Sequence, residues 1–146
     1  MNEVSAFAPP EWGSLLTDIL RLSHAVEQQL DAALQPEGLS LPKLAMLRNL
    51  VEAGDPVPLG VLSARLGCVK SNVTQLIDRL EADRLVQRLP DPDDRRSKLA
   101  AITEAGRLRY EAGRRAVAGA EQRILASFSE ADRDLLTQML QRFRQI

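Results

Sequence analysis

Asn72 and Gln75 stand three residues apart in a stretch with helical spacing, so both amides share one face. An amide carried on a helix can pair bidentately with N6 and N7 of adenine in a major groove, which makes these two the base-reading candidates. Lys70, Ser71 and Arg79 flank them. A short hydroxyl and two cations suit phosphate contacts, which set register on a duplex without reading its sequence. A helix beginning near Lys70 adds free N–H groups for phosphate. A second cluster follows. Arg88 and Lys98 lie on two strand-like arms, and Arg95 and Arg96 come just past Asp91-Pro92-Asp93-Asp94, whose Pro and acidic residues are turn chemistry. A thin basic tip of this kind reaches a minor groove, where narrow A·T tracts attract arginine. Asp93 or Asp94 is placed to hold Arg95 or Arg96 extended through a charge-assisted pair. The candidate DNA-binding set is therefore Lys70, Ser71, Asn72, Gln75, Arg79, Arg88, Asp94, Arg95, Arg96 and Lys98.

The elements that must position these residues are legible in the apolar pattern. Leu59, Leu62 and Leu66 pack a short first helix, which Gly67 closes. Val73, Leu76, Ile77 and Leu80 form the buried stripe of a second helix, opposite the polar face. Val86 to Ile102 then reads as two strands around the charged turn. Helix, turn, helix and β-hairpin in this order are the winged helix-turn-helix plan for entering DNA. Taken alone, a polar helix face is more often simply solvated, and a hairpin of mixed charge more often neutralises itself. Their fixed succession favours DNA entry.

The stretch resembles the MarR family of bacterial transcriptional regulators. The resemblance is carried by Gly38-Leu39-Ser40-Leu41-Pro42, by Leu62-Ser63-Ala64-Arg65-Leu66-Gly67, and by Ser71-Asn72-Val73-Thr74 with Ile77-Asp78-Arg79-Leu80-Glu81. It is carried most specifically by Asp91-Pro92-Asp93-Asp94-Arg95-Arg96-Ser97 followed by Thr103-Glu104-Ala105-Gly106. Ser63 stands where that family usually has Ala, a small residue in either case. The resemblance implies a dimeric repressor or activator, with a repressor preferred, whose second motif helix enters the major groove. It implies that the family's wing arginine falls on Arg96 and its acidic partner on Asp94. It also implies a small-molecule effector of phenolic or other aromatic type, held between the DNA-binding lobe and the dimerisation helices. A pocket bordered by the first, second and fifth helices would include His24, Met46 and Arg107.

Composition bounds the alternatives. The chain has 146 residues, 45% hydrophobic and 27% charged, enough for one globular domain with a core. Aromatic residues are only 3% while Leu and Ala abound, which favours helices. No apolar run is long enough to cross a bilayer and no secretory signal is visible, so a cytoplasmic protein with no membrane partner is expected. The net charge of −1 is low for a DNA-binding domain, but it is unevenly spread. Residues 1–64 carry 3 basic and 8 acidic groups, whereas residues 65–146 carry 16 and 12. The cations therefore gather from the reading helix onwards.

The remaining segments are expected to build the scaffold. A loose arm over residues 1–10 precedes a long helix from Glu11 to about Leu34, apolar on more than one side and stapled by Trp12. Gln35-Pro36-Glu37-Gly38 breaks it, Ser40 caps the next helix with Pro42 in its first turn, and Gly54 ends that helix. Val57 adds a short third strand. Thr103 caps a helix running to about Ser127, with a stripe of Leu108, Ala112, Ala116, Ala120, Ile124 and Leu125. Ser129 and Asp132 form a capping box for a last helix bearing Leu135, Leu136, Met139, Leu140 and Phe143. The expected fold is thus mainly α: a winged helix-turn-helix lobe over 40–103 with a small antiparallel β-hairpin wing, and helices over 11–36 and 104–146 forming a dimerisation region. The expected partners are double-stranded DNA and a second copy of the chain.

Catalysis is not expected, because the chain has no Gly-rich phosphate loop, nucleophile motif or catalytic dyad. One histidine and one cysteine, His24 and Cys68, do not make a metal site, and no cofactor is implied. The rival reading is a winged-helix protein–protein interaction module without DNA binding; retention on heparin or random DNA at low salt separates the two.

Overall fold

The computed structural model describes residues 14–67 and 70–145, and only the backbone of Lys70. The expected arm over residues 1–10, the Trp12 staple and the Cys68 thiol lie outside the described residues. Within them the order is α1 (Ser14–Leu34), a single 3-10 turn (Gln35–Glu37), α2 (Leu41–Ala53), β1 (Val57–Pro58), α3 (Leu59–Leu66), α4 (Lys70–Ala82), β2 (Val86–Pro90), β3 (Lys98–Ile102), α5 (Glu104–Ile124) and α6 (Glu130–Phe143). No described helix is long and apolar enough to cross a membrane.

Each boundary has a local cause. α1 tightens at Pro36 and stops at Gly38, which takes φ +65° and donates its N–H to the Gln35 carbonyl. Ser40 caps α2 by accepting from the Lys43 N–H, and Pro42 lies in the first turn. Asp31 of α1 accepts the Leu41 N–H at 2.8 Å, so a carboxylate meets the positive end of α2. Gly67 ends α3 in the left-handed region. Arg84 does the same after α4 at φ +59°, with Leu85 N–H reaching back to the Leu80 carbonyl at 2.9 Å. Thr103 caps α5, and the Ser129–Asp132 capping box opens α6 as its spacing predicts.

The core sits under the helix-turn-helix. Leu34, Leu39, Met46, Leu47, Leu50, Leu62, Val73, Ile77, Leu80, Leu85, Val86 and Ala100 form one buried cluster. The sheet order is β1-β3-β2, all antiparallel, and the third strand expected at Val57 is present. One row crosses all three strands, with Ala100 between Val57 and Arg88.

α5 departs from its sequence reading in two ways. It ends at Ile124, short of Ser127, and Leu108 is 65% exposed instead of packed in the stripe with Ala120. Its buried side is made by glycines that the apolar pattern did not single out. A Cβ on Gly106 would stand 2.1 Å from the Leu85 carbonyl oxygen and 2.7 Å from Ile102 Cγ1. One on Gly113 would stand 2.7 Å from Leu39 Cδ1 and 2.8 Å from Leu44 Cδ1. These two positions let α5 lie directly on the lobe.

α6 buries none of its residues within the chain. Leu135, Met139, Leu140 and Phe143 are exposed, and so are Leu15, Leu16, Leu20 and Leu22 of α1.

Two outcomes follow. Gly106→Ala forces a methyl into backbone and is expected to cost about 2–3 kcal/mol in chemical denaturation, with a larger loss for Val. The Ser129 hydroxyl, and then its N–H, hold the Asp132 carboxyl below the usual carboxylate range. A lowered folded pKa gives stability that is present above the unfolded pKa and lost as pH falls through the folded one. Protection of the amides in the first turn of α6, taken against their intrinsic exchange rates at each pH, is therefore expected to fall below roughly pH 4 and to show no such loss between about pH 6 and 8.

Candidate nucleic-acid interface

α4 is polarised about its axis. Val73, Ile77 and Leu80 are buried and Leu76 is half-buried, while Ser71, Asn72, Gln75 and Arg79 are exposed. Both amide candidates thus project from the side facing away from the core. Lys70 opens the helix, and its side chain lies outside the described residues.

The wing returns alongside this helix. After the turn at Arg84, β2 runs back past the end of α4, and Arg88 reaches across to it. The Arg88 backbone N–H donates to Glu81 Oε1 at 3.0 Å and its Nη1 donates to Glu81 Oε2 at 2.5 Å. Nη2 donates to Asp78 Oδ1 at 2.5 Å and to the Thr74 carbonyl at 3.4 Å. Burial alone lowers the guanidinium pKa, but the hydrogen bonds and attraction of Asp78 and Glu81 outweigh it and raise the pKa above the ordinary arginine value. Arg88 is therefore engaged inside the protein, in contrast to its sequence-based place among the DNA-facing cations.

The tip is ordered by its acids. Asp91 Oδ1 accepts the Asp93 N–H at 2.9 Å, and Asp94 Oδ1 accepts the Arg96 N–H at 2.9 Å. The Ser97 N–H donates to the Asp94 carbonyl at 2.9 Å. These are Asx turns, in which a short carboxylate mimics a backbone carbonyl. Asp94 thus acts on the backbone of Arg96, where the sequence suggested a pair with an arginine side chain. Arg95, Arg96 and Lys98 are exposed.

Asp78 and Glu81 were not singled out in sequence. They lie three residues apart on one helix flank, but nothing local announces a strand cation 7 to 10 residues away as their partner.

A shallow cleft of about 210 Å³ lies between lobe and scaffold, lined by Glu37, Gly38, Asp83, Leu85 and Arg109. Arg109 donates to the Glu37 carbonyl at 2.5 Å, and Lys43 pairs with Asp83 at 2.8 Å while reaching the Gly38 carbonyl at 3.3 Å. The pocket residues suggested by resemblance are placed differently: Met46 is fully buried, and His24 is exposed, 3.0 Å from Gln28. Arg109 lines the cleft and Arg107 does not. Among the described residues no group of three or more His, Cys, Asp or Glu is placed to hold a metal ion.

Comparison with known proteins gives concordant matches. A family model described as "MarR family" matches residues 37–97. The uncharacterized HTH-type transcriptional regulator YdgJ of Bacillus subtilis is 30% identical over 107 residues, 73% of this chain and 65% of that protein. The chain spans between 44 and 65% of the length of five curated relatives to which it is 29–38% identical over the aligned segments. The crystal structure of a MarR-family regulator from Rhodococcus sp. RHA1 superposes with a TM-score of 0.74 at 29% identity, covering 89% of this chain and 94% of that one. That of CouR from Rhodococcus jostii RHA1, bound to p-coumaroyl-CoA, gives 0.69 at 27% identity, covering 84% and 86%.

The tip geometry makes a prediction of its own. Asp94→Ala removes the acceptor for the Arg96 N–H, and exchange of that amide is expected to quicken about 5-fold, a lost hydrogen bond's worth. Asp94→Asn keeps an acceptor oxygen and is expected to stay near the parent rate.

Proposed function

The chain belongs to the MarR family, and from that membership we propose that it is a sequence-specific DNA-binding transcriptional regulator, a repressor acting as a homodimer in the cytoplasm. The observation that carries this reading is the division of α4: an apolar side buried to 2% exposure or less at Val73, Ile77 and Leu80, and an amide-bearing side left to solvent beside a basic wing. Asn72 and Gln75 read base edges. Ser71, Arg79 and Lys70 hold phosphate, and Arg95, Arg96 and Lys98 carry the wing into the adjacent minor groove. Asp94 serves by shaping the tip.

Exposed apolar faces support the dimer. Leu15, Leu20 and Leu22 of α1 are each more than half exposed, as are Leu108 of α5 and Leu135 and Leu140 of α6. A lone soluble chain rarely leaves so much aliphatic surface in contact with water. A two-fold partner covering residues 11–36 and 104–146 sets two reading helices roughly 34–36 Å apart, one turn of a duplex, and so specifies a pseudo-palindromic operator.

Release by a small molecule is part of the proposal. CouR is a neighbour solved with an aromatic acyl-CoA thioester. The cleft of about 210 Å³ beside Arg109 has the volume for a phenol-sized aromatic anion at the junction of lobe and scaffold.

Sedimentation equilibrium at micromolar concentration is expected to give a dimer; a monomer alone removes the two-fold operator. On a duplex selected from a random pool, Arg96→Ala is expected to weaken binding about 10-fold, mostly at A·T-rich flanks. Asn72→Ala is expected to relax preference at one position in each half-site, a loss of about 1–3 kcal/mol of discrimination. Parent-like gel shifts from both variants refute the contact assignment.

A further inference from the structure

We propose that Arg88 is a positioning residue that sets the angle between wing and reading helix through Asp78, Glu81 and the Thr74 carbonyl, and does not itself contact DNA. The inference rests on the DNA-binding reading and goes beyond it.

The first ground is the reach of one side chain. Arg88 makes four hydrogen bonds to three residues spread along α4, two of them from its guanidinium to separate carboxylates. Its side chain is 22% exposed, and both Nη atoms already donate within the protein. A phosphate would have to displace two acids to claim them.

Leverage is the second ground. Arg88 lies on the row Val57–Ala100–Arg88 that crosses the whole sheet. Arg95 and Arg96 lie beyond it by two paired rows and the turn, roughly 10–15 Å at strand spacing. A two-stranded ribbon is not stiff by itself. A 20° swing about its base moves the tip by roughly 4–5 Å, more than a hydrogen bond can follow. Fixing the strand at Arg88 makes the helix and the tip one rigid reading surface.

Charge is the third. Asp78 is 57% exposed in its side chain and stands one residue from Arg79, on the helix that faces phosphate. Uncompensated, it repels a duplex; beside Arg88 it is neutralised in place. This gives opposite signs for one mutation. If Arg88 contacts DNA, removing Asp78 strengthens binding. If Arg88 positions the wing, removing Asp78 weakens it.

The experiment uses the full chain and a duplex that the parent selects from a random-sequence pool. Affinity is read by fluorescence anisotropy across salt, contacts by hydroxyl-radical footprinting, and folding by circular dichroism melts. Arg88→Met is expected to bind about 10-fold more weakly and Asp78→Asn about 3-fold more weakly, with the double variant no worse than Arg88→Met because the two share one network. Protection of the flanking minor grooves is lost while the central major-groove protection stays. Arg88→Lys recovers only part, since an ammonium cannot span both carboxylates. Tighter binding by Asp78→Asn, with Arg88→Met lowering the salt slope by about 1 and leaving the footprint whole, assigns Arg88 to phosphate and overturns the proposal. A lowered melting temperature in Arg88→Met with an unchanged footprint and affinity overturns it too, as a purely structural role. A parent that selects no duplex overturns the DNA-binding reading first, and this inference with it.

Discussion

Three elements meet at Arg84 and Leu85, and the arrangement of the molecule turns on that meeting. α4 ends there, the wing begins there, and α5 starts against it. Arg84 adopts a left-handed backbone that an L-residue occupies only at a cost. The surrounding bonds hold it. Leu85 N–H closes α4, the Leu85 carbonyl accepts the Thr103 N–H at 3.1 Å, and the Thr103 hydroxyl donates to the Arg84 carbonyl at 2.8 Å. The same hydroxyl oxygen then caps α5 at Gly106. One threonine thus couples the direction of α5 to the end of α4, and Gly106 is the residue that lets the two approach.

This junction gives a physical route between the scaffold and the interface. The cleft beside it is lined by residues from both: Glu37 and Gly38 from the corner after α1, Asp83 and Leu85 from the end of α4, and Arg109 from α5. Arg109 donates to the Glu37 carbonyl within this lining, and Lys43 pairs with Asp83.

The acidic residues explain how a chain of net charge −1 presents a basic face. Asp91 and Asp94 are committed to backbone N–H groups at the wing tip, and Asp78 and Glu81 are committed to Arg88. These carboxylates shape the surface that the cations occupy. Net charge summed over the chain does not show this; locally these carboxylates are engaged by backbone N–H groups and by Arg88.

Much of this was fixed by short-range pattern. The apolar stripe of α4 and its polar face, the caps at Ser40, Thr103 and Ser129, the stop at Gly38, the short strand at Val57 and the charged turn between two strands were all legible, because each depends on residues within a turn or two of one another. What tertiary structure alone decided depends on groups distant in sequence. The engagement of Arg88 with Asp78 and Glu81, the exposure of Leu108, the two glycines on the buried side of α5 and the location of the cleft all require the path of the chain around Arg84. An arginine on a strand reads as a free cation until the fold brings an acid to it. A glycine in a helix reads as a weakness until a carbonyl oxygen occupies the space its side chain would need.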